Sequence, residues 1–496
     1  MKIKVHYPII AFAAAVAGCH NLPSVGPDYK ELEYTVPEYL MPDAGYPTTK
    51  LTDSREYKPA VSNEDSRVEI SQDRIAKWWE NFDDPLLESL VINSVSNNVS
   101  FRMAQYRLEQ ANWELLGAYA AFMPKFSVDG SVVRNWSRER TASGRRTRNI
   151  SDLALDASWE IDIFGGNRRL TEAAYAQAES AGWTVADAWV SLTSQIGCEY
   201  INLRTVQELI EVARTNLVLQ SETYDILKSR LDSGIGDELA VNQCAYIVEQ
   251  TRARIPDLLV QEERCKNAIA ILAGDVPGAL HEDLRPVAGN RDWLVAPQKI
   301  SALKLDMIRS RPDVKAAERE LAAQTARIGV AKAQWFPRLF ITGSVGFQST
   351  PKAQKLFTPE SFIASLGPSV SWPIFQGGAI YANVKATEAR MHEVALKYGL
   401  AVENAYGEVR DAYAAYTQEY HRYQSLKSAV KAASDAVTIS NDLYKNGLKD
   451  FNNVLDAQRS RLQLEEELAV SRGQITINLI KLYKSLGGGL AVSNGE

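Results

Sequence analysis

The chain is written twice. Residues Asn98 to Gly274 and Arg311 to Gly487 align with one another at an offset of 213 with almost no gaps, and a duplication of that length makes the fold a pair of like halves. Shared anchors include Pro124 and Pro337, Gly130-Ser131-Val132 and Gly343-Ser344-Val345, Ser158-Trp159 and Ser371-Trp372, Gly234 and Gly447, and Gly274 and Gly487. Each copy reads as helix, strand pair, very long helix, turn, helix. The first spans residues 78–274, with strands at about 125–136 and 151–163. The second spans 298–487, with strands at about 338–349 and 363–374. Residues 275–297, with Pro277, Pro286 and Pro297, read as a linker. The proline-rich residues 19–77 read as an extended segment, and 488–496 as a disordered tail.

Between Arg168 and Ser233 there is no proline, and Leu203, Ile210, Leu217, Tyr224 and Leu231 recur every seventh residue, the spacing of a coiled-coil seam. In the second copy the same positions hold Tyr416, Tyr423, Val430, Val437 and Tyr444. A helix of about 66 residues is roughly 100 Å long, more than a globular core can bury. The return helix to Ala273 and the helix from Asn98 to Phe122 together nearly match that length. Two short helices set end to end are therefore expected to pair with one long one.

The strand pairs alternate strictly. Leu153, Leu155, Ala157, Trp159, Ile161 and Ile163 interleave with Ala154, Asp156, Ser158, Glu160 and Asp162. The same phase runs through Phe126, Val128, Gly130 and Val132, through Leu339, Ile341, Gly343, Val345 and Phe347, and through Leu366, Pro368, Val370, Trp372 and Ile374. A soluble antiparallel sheet over a core alternates equally well. Strand lengths near those of a tilted outer-membrane strand, together with the N-terminus described next, favour lipid on one face and water on the other. Four strands cannot close a barrel, and open edges in hydrocarbon leave backbone groups unpaired at a cost of several kcal/mol each. Several copies must share one barrel. Two would give eight strands around a filled lumen and three would give twelve around an aqueous bore; the acidic inner face with Asp129, Asp156, Glu160 and Asp162 favours the wetter option.

Lys2 and Lys4, the apolar run Ile9 to Val16, and Val16-Ala17-Gly18-Cys19 read as a lipoprotein signal peptide over residues 1–18, with Cys19 as the acylated residue; the competing reading is a buried N-terminal helix with a core cysteine. His20 rather than Asp after the cysteine implies export to the outer membrane. The formal charge of -6 gives no global attraction to nucleic acid. No later apolar run approaches the roughly 20 residues of a spanning helix. Cys198, Cys244 and Cys265 form a poor disulfide framework and read as buried, small and inert. Five scattered histidines, no paired metal-ligand motif, no nucleophile elbow, and glycine runs without the Lys-Ser or Lys-Thr of a phosphate loop argue against an enzyme, a metal site or a cofactor. Asn135 to Ile150 reads as a solvated loop; its Arg138, Arg140, Arg145, Arg146 and Arg148 also suit contact with anionic lipopolysaccharide.

The motifs Val16-Ala17-Gly18-Cys19, Val25-Gly26-Pro27-Asp28-Tyr29, Trp78-Trp79-Glu80-Asn81-Phe82-Asp83-Asp84-Pro85-Leu86, Arg311-Pro312-Asp313-Val314, Trp335-Phe336-Pro337, Val454-Leu455-Asp456-Ala457-Gln458-Arg459 and Leu486-Gly487-Gly488-Gly489 resemble those of TolC-type outer membrane factors, specifically their lipoprotein branch. The resemblance implies an α+β membrane protein contributing four strands to a trimeric twelve-stranded transmembrane β-barrel. That barrel would continue into a long coiled-coil α-helical barrel in the periplasm. The implied function is the exit duct of a tripartite efflux system for small molecules such as drugs, lipid-anchored in the bacterial outer membrane. Its partners would be a periplasmic adaptor and an inner-membrane pump of the resistance-nodulation-division kind. Metal efflux and type I protein secretion are the alternatives. The resemblance places a periplasmic gate at Asp456 and Arg459, and tip contacts at Tyr444 and Lys449; Asn453 and Ala240 stand where some relatives carry acids. Without the resemblance, Asp456 and Arg459 read as an exposed helical ion pair. A purely structural coiled-coil lipoprotein is the remaining class, and single-channel recording separates it from a duct.

Overall fold

The computed structural model of the chain describes residues 24–30, 77–136, 147–286, 308–350, 356–446 and 448–488. In chain order a 3-10 turn, Trp78–Phe82, leads to α1 (Pro85–Asn97), α2 (Val99–Tyr119), β1 (Lys125–Trp136), β2 (Thr147–Ile161), α3 (Gly166–Asp232) and α4 (Glu238–Ala273). The second copy supplies α5 (Pro312–Ala333), β3 (Arg338–Ser349), β4 (Phe362–Ser371), α6 (Ala379–Lys445) and α7 (Phe451–Ser485). The long helices α3 and α6 are 67 residues each. The residues fall into two units, one drawn from Met1–Tyr34, Arg107–Gly182 and Ala316–Leu400, the other from Thr35–Tyr106, Trp183–Lys315 and Ala401–Glu496.

The first unit holds the sheet, antiparallel in the order β1-β2-β3-β4. Residues directly opposite in such a ladder share a face, so the register tests whether the alternation is consistent. Phe126 faces Ala157, Val128 faces Leu155 and Gly130 faces Leu153. Leu153 faces Phe347, Leu155 faces Val345 and Trp159 faces Ile341. Leu339 faces Val370 and Gly343 faces Leu366. All four strands therefore put their apolar residues on one side, where Leu366 is 83% and Val132 77% exposed. The other side carries Val133, Ile150, Phe340 and Ile363 but is otherwise polar: Ser131 Oγ donates to Asp152 Oδ1 at 2.7 Å, Ser127 Oγ to Asp129 Oδ2 at 2.8 Å, and Arg338 pairs with Glu160. Among the described residues β1 and β4 have no strand on their outer sides.

Two strand bounds differ from expectation. β2 starts at Thr147 and stops at Ile161, because the chain turns there: the Ile163 N–H bonds the Ile161 carbonyl at 2.9 Å, and the Phe164 carbonyl accepts from the Val25 N–H at 3.2 Å. β4 stops at Ser371, two residues before Pro373, which has no N–H to extend a ladder. Trp159 and Trp372 occupy the same position in the two copies and do the same work. Their indole N–H groups donate to the carbonyls of Phe122 and Trp335, at 2.9 and 3.0 Å, pinning strand to preceding helix. The Val25-to-Tyr29 motif is clamped onto this unit. Arg169 reaches the Val25 carbonyl, the Gly26 carbonyl and Asp28, and a Cβ on Gly26 would lie 2.5 Å from Gly329 Cα. Where each second strand passes into the long helix, Gly165, Gly377 and Gly378 have positive φ, whereas Gly166 is already helical.

In the second unit α3 packs against α4 and α7. Helix α1 begins at Pro85 behind Asp84, whose carboxylate accepts the Leu86 N–H, and the same carboxylate accepts from the buried Tyr200 hydroxyl at 2.6 Å. Trp78 is fully buried, and a Cβ on Gly197 would lie 2.3 Å from its ring. The expected end-to-end abutment is present: Asn98 caps α2 through the Phe101 N–H, and its Nδ2 donates to the Leu272 carbonyl at the end of α4. Residues 275–286 are held rather than free, since Arg204 donates to the Arg285 carbonyl and Gln207 to the Leu284 carbonyl.

Candidate functional site

The two helical hairpins turn at equivalent places. The Ile235 N–H bonds the Arg230 carbonyl at 3.0 Å, and the Leu448 N–H bonds the Leu443 carbonyl at 2.9 Å, the same bond in each copy. Gly234 supplies the left-handed residue of the first turn at φ 74°, which glycine adopts without strain. Gly447, its counterpart, lies outside the described residues. Asp237 caps α4 with its side chain. Asp450, at the same position before α7, makes no such bond; its carbonyl accepts from the Asn453 amide instead.

Under the turns, one apolar cluster gathers Leu227 of α3, Ala240, Val241, Cys244 and Ile247 of α4, and Phe451, Val454 and Leu455 of α7, with Tyr224, Leu231 and Tyr444 packed against it. Tyr444 is edge-on to Phe451 at 5.2 Å, and the Arg230 guanidinium lies 5.4 Å from its ring centroid. The tyrosine of the second hairpin is thereby bound to the last turn of α3. Lys449 sits exposed in the turn. Asp456 and Arg459, one turn apart on α7, approach to 3.8 Å with side chains 78% and 44% exposed, so the pair itself contributes only a few tenths of a kcal/mol. More informative is that the Arg459 guanidinium lies 5.3 Å from the Tyr246 ring centroid on α4, where stacking on an aromatic face adds about 0.5–1 kcal/mol.

Arg230 and Tyr246 belong to no motif of the sequence. A signal existed for one: Tyr246 and Arg459 stand at the same position of the two copies, so two like helices packed face to face bring them together. Ala240 is 2% exposed within the cluster, where a carboxylate would be desolvated. That is a physical reason for the missing acid, while Asn453 is exposed. Beside the turn, an open groove of about 410 Å³ is lined by Asp225, Ile226, Ser229, Arg230, Ser233 and Ile235. Cys19 and Arg138, Arg140, Arg145 and Arg146 lie outside the described residues. Of the three described cysteines Cys244 is buried and Cys198 and Cys265 are half-buried, and burial pushes each thiol up to about 11. Among the described residues no group of three or more His, Cys, Asp or Glu could hold a metal ion, and no helix is long and apolar enough to cross a membrane.

A sheet with one apolar face, joined in each copy to 67-residue helices, defines a channel subunit of the outer-membrane TolC type. The chain belongs to the family described as outer membrane efflux protein, which matches residues 90–275 and 306–488. It is 30% identical over 455 residues to Nodulation protein T of Rhizobium leguminosarum bv. viciae, covering 91% of each chain. It is 26% identical over 457 residues to the probable outer membrane lipoprotein SilC of Salmonella typhimurium, covering 91% of this chain and 95% of SilC. The solved structure of the outer-membrane channel OprN superposes with a TM-score of 0.81 at 30% identity, over 94% of this chain and 99% of that one. The protein is thus a non-enzymatic efflux channel of the bacterial outer membrane.

Proposed function

We propose that three copies of the chain close a twelve-stranded barrel and form the exit duct of a tripartite efflux system. The duct takes small molecules such as drugs from a periplasmic adaptor and an inner-membrane pump of the resistance-nodulation-division kind, and closes at the helical tip. The observation that supports this most directly is the sheet, whose apolar side is continuous across four strands while, among the described residues, no strand pairs with the outer edges of β1 and β4. Unpaired edges in hydrocarbon are too costly to persist, so neighbours must complete them. Acylation at Cys19 would place the anchor close to the sheet, because only a few residues separate it from Ser24, beside Gly165 at the start of α3.

At the tip, three symmetry-related Asp456 carboxylates repel one another and attract cations, while Arg459 on Tyr246 and Tyr444 on Arg230 hold the second hairpin to the first. The exposed Ile235 and Leu448 at the two turns, with the groove beside Arg230, offer the adaptor a mixed apolar and polar footing. Metal efflux or type I secretion would use the same duct with a different pump, and the pump that co-purifies decides between them. The gate is tested by Asp456→Ala in planar bilayers: leak conductance is expected to rise several-fold, and unchanged conductance rejects the assignment.

A further inference from the structure

Inside the chain α5 packs along α3 in a definite register. Ala322 and Ala323 meet Ala176, with Tyr29 packed on them, and Arg327 Nη2 donates to Gln177 Oε1 at 3.5 Å. Gly329 lies under Arg169: a Cβ there would come within 2.6 Å of the arginine Cγ and 2.8 Å of the Val25 carbonyl oxygen, and the missing side chain leaves a notch for Gly26. One repeat earlier α5 becomes α2, and one repeat later α3 becomes α6, each by the offset of 213. The corresponding faces of α2 and α6 stand in the open. Trp113 is 64% exposed where Ala326 is 1%, Leu116 is exposed where Gly329 is buried, and Ala382, Ala386 and Ala389 are exposed where Arg169, Ala173 and Ala176 are buried.

These two faces fit one another in size and in charge. Leu116 stands in place of Gly329 and Ala382 in place of Arg169, so the bulk has moved from one side of the contact to the other. A leucine there also fills the notch, and no second N-terminal segment is needed to seal it. Arg327 and Gln177 give way to Glu114 and Arg390, which sets opposite charges at one level where the chain itself has a neutral acceptor. Glu114 also accepts from Gln110 Nε2 at 2.8 Å. The sheet agrees independently. Shifted by the same offset, the β2–β3 register sets Ser131 of β1 opposite Ser369 of β4 and Val132 opposite Pro368, so polar meets polar and apolar meets apolar across the outer edges.

We propose that the seam between neighbouring copies reproduces the α3–α5 contact one repeat on: Leu116 of one copy seats against Ala382 of the next, and Glu114 of the one pairs with Arg390 of the other. The inference rests on the reading that three copies share one barrel, and it adds which faces meet and in what register. Removal of Trp113 and Leu116 from water supplies the attraction, and the charge pair fixes the height at which α2 and α6 meet.

The test uses the full-length protein in detergent. Leu116→Cys combined with Ala382→Cys should give, on mild oxidation, disulfide-linked dimers and trimers in a denaturing gel, and neither single variant should give them. Glu114→Arg sets two cations against each other and should speed the exchange of labelled subunits between trimers about threefold; adding Arg390→Glu should return the natural rate. A natural chain with the mass of a monomer overturns the three-copy reading. A trimer whose double-cysteine variant stays unlinked overturns the seam alone, and a charge-swapped variant that exchanges as fast as Glu114→Arg overturns the ion pair.

Discussion

The two copies build the same joint from different side chains. Where α4 ends against the start of α2, the neutral amide of Asn98 donates to the Leu272 carbonyl at 3.0 Å. Where α7 ends against α5, the guanidinium of Arg311 takes the same position and donates to the Ser485 carbonyl at 2.9 Å, the same acceptor one repeat later. Arg311 is almost fully buried and also binds Asp313 and Glu408. One copy thus caps a joint with a local hydrogen bond, and the other makes it the centre of a charge cluster. The geometry of the duplicated fold requires a donor at that place and leaves its chemistry open.

The largest expected effect follows from that difference. Arg311→Ala strips the buried, charged donor from the Ser485 carbonyl, and it should destabilise by about 3 kcal/mol, chiefly through that lost charge-assisted bond, since Asp313 and Glu408 remain solvated. Asn98→Ala loses a cap and one bond, for about 1 kcal/mol. Unfolding midpoints of the detergent-solubilised variants measure both, and equal shifts would break the comparison. Next come the glycines that end α4 and α7, both left-handed at φ 83° and 78°. A Cβ on Gly274 would lie 2.4 Å from the Asn97 carbonyl carbon, whereas on Gly487 it meets Arg311 only at 3.8 Å. Gly487→Ala should therefore cost about 1 kcal/mol from backbone strain alone, and Gly274→Ala about 2–3 kcal/mol. The same unfolding assay orders them.

The smallest effect belongs to a contact that sharpens the first joint. His281 lies against Glu263 of α4 at 2.7 Å. The Glu263 bond raises the His281 pKa above its ordinary value, and His281 in turn lowers that of Glu263. The histidine's contribution is fully present below its ordinary pKa and lost as pH rises through the raised value; the carboxylate's is lost as pH falls through the lowered one. Amide exchange of residues 278–284 should be slowest between those limits, and His281→Ala should abolish the pH dependence. A flat profile in the natural chain would show that the contact holds nothing in place.

Much of this fold is legible residue by residue. The period of two in Leu153 to Ile161 specified which side of every strand would be apolar, and the ladder kept that phase across all four strands. The period of seven from Leu203 to Leu231 specified the long helix, and the lengths of its partners specified a joint near Gly274. The pairs that bind the tip were less legible. Asp456 with Arg459 could be read from one helix, but Tyr246 under Arg459 and Arg230 over Tyr444 join residues far apart in the chain.

Periodicity is a local property, so the chain by itself determined which face of each element is apolar and where the long helices turn back. Which side chains meet across those faces was decided only by the packing of α3, α4 and α7, because contact between helices depends on their relative rotation and height, which no single helix encodes. The stacking of Arg459 on Tyr246 and of Arg230 on Tyr444 belongs to that second kind of fact, because separate helices bring those rings and cations to one level.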